Sequence, residues 1–208
     1  MTQEIHTLLQ KLISLNTVDG NSDAQKEALD LIAKKLPKTY KKKRFSKNKY
    51  PSCLYYQKDC CNFDVLFVAH IDVVPASNNL FKLTRRGNKL YGRGVFDMKG
   101  PLASTIIALN RFYNKRTKVG LLVTSDEEKG GFYGTKHAIE RNKLNPKTVF
   151  VFDGGSHFNI VRREKGVLEL ELSHQGKAAH ISEPWLGKNS AEILIQSIND
   201  ILEKFDKG

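Results

Sequence analysis

The sequence predicts an α/β protein: a mixed, largely parallel sheet flanked by helices. Three observations carry that reading. Val65-Leu66-Phe67-Val68-Ala69, Val119-Gly120-Leu121-Leu122-Val123-Thr124 and Val149-Phe150-Val151-Phe152 are continuous apolar runs, the mark of strands buried on both faces. Between them lie segments with the apolar spacing of helices, so strands and helices alternate. Each run also ends on a chemical cluster: His70-Ile71-Asp72, Asp126-Glu127-Glu128 and Asp153. In layered α/β folds ligands bind beyond the carboxyl ends of the strands, where these clusters lie.

The elements follow in order. Ile5, Leu8, Leu9, Leu12 and Ile13 recur at helical spacing, which predicts an amphipathic helix over about residues 2 to 15. Asp19-Gly20-Asn21-Ser22 ends it, and Ser22 or Asp23 can cap a second helix whose stripe is Ala28, Leu29, Ile32 and Leu36, stopped by Pro37. Cys53 to Tyr56 reads as a strand, Asp59 to Asn62 as a turn, and Val65 to Ala69 as the first buried strand. Phe81 to Tyr91 reads as a hairpin with Arg86-Gly87-Asn88 at its tip. Pro101 then opens a helix of about residues 101 to 114, with Leu102, Ile106, Leu109 and Phe112 on one face. After the strand 119–124, Gly130, Gly131 and Gly134 loop into a helix of about 134 to 142. Asp153-Gly154-Gly155 caps the last strand of the series.

Past about residue 160 the pattern changes. Val167-Leu168-Glu169-Leu170-Glu171-Leu172 alternates apolar and acidic residues, as a strand with one wet face does, and therefore belongs to a different sheet. Gly176 to His180 reads as a loop. Asn189 with Glu192 forms a capping box for a helix carrying Leu194, Ile198, Ile201, Leu202 and Phe205. The expected division is residues 1–159 and residues 160–208.

Composition narrows the function. A chain of 208 residues with 40% hydrophobic content can bury a substantial core. No run approaches the roughly 18 apolar residues of a membrane span, and the first residues lack the pattern of a signal peptide, so the default location is the cytoplasm. Three cysteines (Cys53, Cys60, Cys61) without zinc-like spacing fit reduced thiols. The net charge of +12 raises the question of nucleic acid. Much of the excess is local: between Lys34 and Lys49 stand nine basic residues and no acidic one. With no recognition motif or aromatic stacking set nearby, this stretch reads as a solvated helix end and a lysine-protected edge strand.

The chemistry centres on Asp97, set among Gly92, Gly94 and Gly100 in a tight loop ahead of a helix. An aspartate beside glycines commonly does no more than end a turn. Here its company is His70 and Asp72 upstream, and Asp126-Glu127-Glu128 and Asp153 downstream, a set of donors that points to a metal site. In extended backbone residues two apart share a side, so His70 can face a metal while Asp72 stands behind the ring and fixes it. Glu127 and Glu128, being adjacent, face different ways and suit different tasks.

Four segments in this order resemble the cocatalytic-zinc aminoacylase and exopeptidase family, which includes desuccinylases, deacetylases, carnosinase-type dipeptidases and glutamate carboxypeptidase. They are His70-Ile71-Asp72-Val73-Val74-Pro75, Tyr91-Gly92-Arg93-Gly94 through Asp97-Met98-Lys99-Gly100, Ser125-Asp126-Glu127-Glu128, and Gly176-Lys177-Ala178-Ala179-His180, within about residues 65 to 191. The resemblance implies a zinc-exopeptidase-like fold followed by the start of a small α+β lid and dimerisation domain. It implies two zinc ions, cobalt or manganese being accepted, with His70 on one metal, Asp97 bridging both, Glu128 on the other and Asp153 completing the first. Asp72 would orient His70, and Glu127 would be the general acid/base. His180 would reach from the lid to the partner subunit's site and stabilise the oxyanion. Two cations about 3.5–4 Å apart acidify bound water from about 15.7 toward about 7 and polarise the scissile carbonyl. The implied substrate is a small peptide or an N-acyl amino acid.

Two departures qualify this. Many family deacylases and carboxypeptidases carry Glu-Pro where this chain has Asp153-Gly154, which leans the expectation toward a peptide. The family's last metal ligand is a histidine from a later segment, and His6, His137, His157 and His174 match no ligand motif. The 208 residues therefore read as roughly the first half of such an enzyme, expected to bind the second metal poorly. The competing readings are a catalytically incompetent remnant and a nucleic-acid binder acting through Lys34 to Lys49.

Overall fold

The computed structural model describes residues 2–59, 61–112, 116–154, 162–163 and 166–205. Gly155 and His157, Cys60, and the expected end of the helix at 113–114 lie outside them. The chain separates into two compact units, Met1–Asn159 and Ile160–Gly208.

The first unit is built on a five-stranded sheet in the order β1-β2-β6-β3-β7. The strands are β1 (Lys41–Lys47), β2 (Tyr50–Tyr56), β3 (Asn62–His70), β6 (Val119–Thr124) and β7 (Asn145–Val151). The short strands β4 (Thr84–Arg86) and β5 (Lys89–Tyr91) form the expected hairpin, turning at Gly87 with φ +60. β3 pairs in parallel with β6, His70 opposite Thr124, and with β7, Val68 opposite Val151. β1 and β2 pair antiparallel, and so do β2 and β6. The sheet is thus mixed, and its central strands are the apolar runs of the sequence.

Alternation along each strand builds two cores. Cys53, Tyr55, Ala69, Leu121 and Val123 face α1 (Thr2–Ser14), α2 (Ser22–Lys35) and α3 (Gly100–Arg111), whose Leu12, Ile13, Leu29, Ile32, Leu102 and Ile106 are buried. Leu54, Leu66 and Leu122 face the other way, onto Phe45, Phe63, Ala138 and Leu144. Ala138 belongs to α4 (Thr135–Asn142). α2 is capped by Asn21 rather than by Ser22 or Asp23: the Asn21 carboxamide oxygen accepts from the Ala24 N–H at 3.3 Å. Asn21 stands one residue earlier than expected because its amide also donates to the Asn16 carbonyl, fixing the turn that precedes the helix.

The two edges of the sheet differ. β1 carries Lys41, Lys42, Lys43, Arg44 and Lys47, with only Phe45 buried, and Arg44 and Lys42 pair with Asp30 of α2. This is the lysine-guarded edge that the charge pattern predicts. β7 forms the opposite edge, with Val149, Phe150, Val151 and the following Phe152 about half exposed. Phe150 and Phe152 stack on each other at 5.9 Å, and Phe150 lies over Phe67 at 5.7 Å.

In the second unit, α5 (Ser190–Leu202) is capped by Asn189, whose oxygen accepts from Ala191 N–H at 3.1 Å while its amide donates to Glu192 at 2.9 Å. Residues 167–172 are not a strand, contrary to their alternating pattern. A strand is defined by its ladder, and among the described residues of this unit the pairing is a single bridge, Lys177 with Lys188. No described helix is long and apolar enough to cross a membrane.

Candidate metal centre

The site lies at the carboxyl ends of the parallel strands. β3 ends at His70, β7 is followed two residues on by Asp153, and the loop after β6 carries Glu127 and Glu128. Asp97 comes from the turn before α3. There Gly94 is left-handed (φ +82), and Asp97 (φ −118, ψ 105) and Met98 depart from helical geometry, with a cis Asp97–Met98 peptide bond.

His70 is the hub. Its side chain is 2% exposed, and that of Asp72 behind it 3%. Nδ1 lies 3.0 Å from the Asp72 carbonyl oxygen and 3.4 Å from its Oδ1. Nε2 faces acceptors too, so the metal-free ring is set up to donate from both nitrogens, and a cation at Nε2 would leave the hydrogen on Nδ1. Nε2 faces Asp97 Oδ1 at 2.9 Å, Asp153 Oδ2 at 3.3 Å and Glu127 Oε2 at 3.9 Å. The donor atoms of His70, Asp97 and Asp153 all lie within 4.8 Å of one another. One imidazole nitrogen and two carboxylate oxygens converging on a point are acceptors that repel unless a proton or a cation stands among them. As a donor set they fit a divalent transition metal.

The charge state reflects that crowding. Burial alone would lower the His70 pKa, but the carboxylates of Asp72, Asp153 and Glu127 outweigh it and raise it to about 9. Burial raises the carboxyl pKa of Glu127, opposed by His70 and reinforced by Asp153. Asp153 is likewise raised by burial and by Asp97, against the pull of His70. Glu128 stands outside the close trio. Burial raises its pKa and the negative charge of Asp97 raises it further, against the pull of His70.

Two residues act as supports, a role the sequence does not show: it places Asp126 among the acidic donors and Lys99 in the segment around Asp97. Asp126 is fully buried, and its Oδ2 accepts from Tyr133 N–H at 2.7 Å and Gly134 N–H at 2.8 Å. Its own carbonyl takes the N–H groups of Lys129 and Gly131, so the loop bearing Glu127 and Glu128 is closed on this residue. Gly134 is required there, since a Cβ would fall 2.0 Å from Asp126 Oδ1. Asp72 also reaches this loop: its Oδ2 accepts from the Glu128 N–H at 2.9 Å. The second support, Lys99, is buried in the turn that bears Asp97. Its place two residues after Asp97, in a glycine-rich stretch, gives no periodicity that would mark it as buried.

His180 lies in the second unit, exposed, with Nδ1 2.8 Å from Ser182 Oγ. A cavity of about 570 Å³ opens beside His70, Glu127 and Asp153, walled by Val68, Val151 and Ile139 with Lys136 at its rim.

Comparison with known proteins fits this arrangement. The sequence model of peptidase family M20/M25/M40 matches residues 66–203. The succinyl-diaminopimelate desuccinylase of Rickettsia prowazekii is 31% identical over 223 aligned positions, covering 96% of this chain and 58% of the relative. That of Pelagibacter ubique is 36% identical over 163 positions, covering 69% of this chain and 42% of the relative. The chain thus spans little more than half the length of such relatives. Among solved structures, an M20 family metallo-carboxypeptidase from Sulfolobus solfataricus superposes with a TM-score of 0.61 at 22% identity, covering 74% of this chain and 38% of that one. An aminopeptidase from Bacillus cereus gives 0.60 at 18% identity, covering 96% and 56%. At these identities the two structures speak for the α/β fold alone.

Proposed function

The chain belongs to peptidase family M20/M25/M40, and from that premise and the geometry we propose that it is the metal-binding part of a hydrolase of C–N amide bonds. The observation that carries the reading is the convergence of His70 Nε2, Asp97 Oδ1 and Asp153 Oδ2 within 4.8 Å. His70, Asp97 and Asp153 would hold one ion, and Asp97 and Glu128 would serve a second. Zinc is the ion proposed, with cobalt or manganese able to replace it. When bound, the ions supply Lewis acidity, lowering the pKa of water toward about 7 and polarising the scissile carbonyl.

The chain's own residues do the rest. The Asp72 backbone carbonyl, at 3.0 Å, and its carboxylate, at 3.4 Å, fix the ring of His70 at Nδ1, so Nε2 points forward as a neutral donor. Glu127, at 3.9 Å from Nε2 and about half exposed, lies too far out to join the close trio and has room to meet water. Its Oε2 takes the proton of the attacking water and hands it to the leaving amine nitrogen. Its raised pKa brings it closer to the range in which a base can also act as the acid. The substrate class is a small peptide or an N-acyl amino acid, which the named relatives favour on the N-acyl side. We assign unit Ile160–Gly208 to the start of a lid and dimerisation domain, with His180 stabilising the oxyanion at a partner's site. The cytoplasm is the proposed location.

The test is metal analysis of the 208-residue chain after dialysis against Zn2+, joined to hydrolysis assays on N-succinyl and N-acetyl amino acids and on dipeptides. Zinc retained by the chain and metal-dependent cleavage are expected. A chain that takes up no zinc overturns the reading.

A further inference from the structure

Asp97 is held from outside the sheet. Lys99, two residues further on, is completely buried, and its Nζ donates to the carbonyl oxygens of Leu12 and Leu15, each at 3.0 Å. Those carbonyls lie at and just past the C-terminal end of α1, where a helix leaves acceptors unpaired and its dipole is negative. The turn itself is braced. Lys99 N–H donates to the Gly94 carbonyl at 2.8 Å, and the Met98 sulfur accepts from the His70 N–H at 3.2 Å. Gly94 leaves room for the lysine stem: a Cβ there would come within 3.1 Å of Lys99 Cδ and 2.9 Å of Val73. If the position needed only volume, leucine or methionine would fill it without a polar group to satisfy.

We infer that Lys99 is a positioning residue: it fastens the Asp97-bearing turn to the end of α1, making the first helix part of the support for the metal ligands. The inference rests on the reading of Asp97 as a ligand. It does not depend on the charge of Lys99, since two N–H donors suffice for two carbonyls. Its consequence is that metal at Asp97 and order at the end of α1 are linked, each strengthening the other.

Two measurements on the 208-residue chain test it. In the first, Zn2+ affinity is compared for wild type, Lys99→Met and Ile32→Ala, the last a fully buried α2 residue remote from the turn. Lys99→Met is expected to weaken Zn2+ binding by roughly 10-fold or more, whereas Ile32→Ala lowers the melting temperature and keeps wild-type affinity. In the second, hydrogen exchange of wild type is followed with and without Zn2+, and the amides of residues 12–17 are expected to gain protection when zinc binds. Wild-type affinity in a folded Lys99→Met variant overturns the inference. If that variant does not fold, unchanged exchange over residues 12–17 on zinc binding overturns it instead. Failure of wild type to bind zinc overturns the metal-centre reading, and this one with it, which separates the two failures.

Discussion

The imidazole of His70 stands between two unlike environments. Behind it, at Nδ1, Asp72 is 3% exposed, braced by the Glu128 N–H and set against the ring at 3.0–3.4 Å. In front, at Nε2, stand Asp97 and Glu127, 53% and 51% exposed, and Asp153, with raised carboxyl pKa values at Glu127 and Asp153. The rear is largely finished by folding: Nδ1 meets the Asp72 carbonyl, Asp72 Oδ2 takes the Glu128 N–H, and Oδ1 is left with the ring at 3.4 Å. The front gathers like charges, among which a proton or a cation has to stand. One side of the ring therefore sets direction and the other sets affinity and chemistry.

Substitutions can separate the two sides. The largest expected effect is in front: Glu127→Gln lowers turnover by about 10²–10⁴-fold while zinc uptake stays at the wild-type level, read by steady-state assay beside equilibrium dialysis. Lost zinc uptake would move Glu127 from proton carrier to ligand. Next comes the rear: Asp72→Asn weakens zinc affinity by roughly 10–100-fold, measured by competition with a chelator. An effect no larger than that of an exposed acid such as Glu140 would erase the distinction between the sides.

The pH dependence of the metal-free chain follows from His70. Its folded pKa, about 9, lies above the ordinary value of 6.5. Protonation is therefore favoured by folding, and the stabilisation is complete below pH 6.5 and lost as pH rises through 9. The loss is of the order of 3 kcal/mol at most, measurable by urea denaturation at pH 6 and pH 9. Zinc reverses the sign: it displaces the proton from Nε2, so its affinity rises over the same interval. The smallest effect is expected from Glu128→Gln. Removing a carboxylate that burial and Asp97 both disfavour raises the metal-free melting temperature by roughly 1–3 °C, and a fall would show that the hydrogen bond it accepts from the Val74 backbone outweighs them.

Much of this was legible beforehand because it was periodic. Val65 to Ala69 and Val119 to Thr124 are apolar on both faces, and the structure pairs them side by side in parallel. Their ends, and that of β7, therefore deliver His70, Glu127 and Asp153 to one edge, where distance in sequence says nothing but strand direction says much. Asp97 was visible through its company, His70, Asp72, Glu127, Glu128 and Asp153, and not through the glycines beside it. What escaped notice depends on contacts that no local pattern encodes. The role of Lys99 is not written in its own segment, because its carbonyl partners at Leu12 and Leu15 lie more than 80 residues away. Asp126 read as one more donor beside Glu127 and Glu128, because its backbone partners at 133 and 134 come from the next glycine-rich turn. Val167 to Leu172 failed in the opposite direction: alternation describes a face, and without a ladder beside it a face does not make a strand.

The unlike flanks of the sheet have a consequence for handling the protein. Lysines along β1 keep neighbours away by charge, whereas Val149 to Phe152 on the β7 flank offer open valence and grease together. In dilute, low-salt solution the +12 charge holds molecules apart. At 0.15 M salt that repulsion reaches only about 8 Å, so light scattering should reveal clustering through the β7 flank as salt is raised, and a lysine at Val149 should delay it.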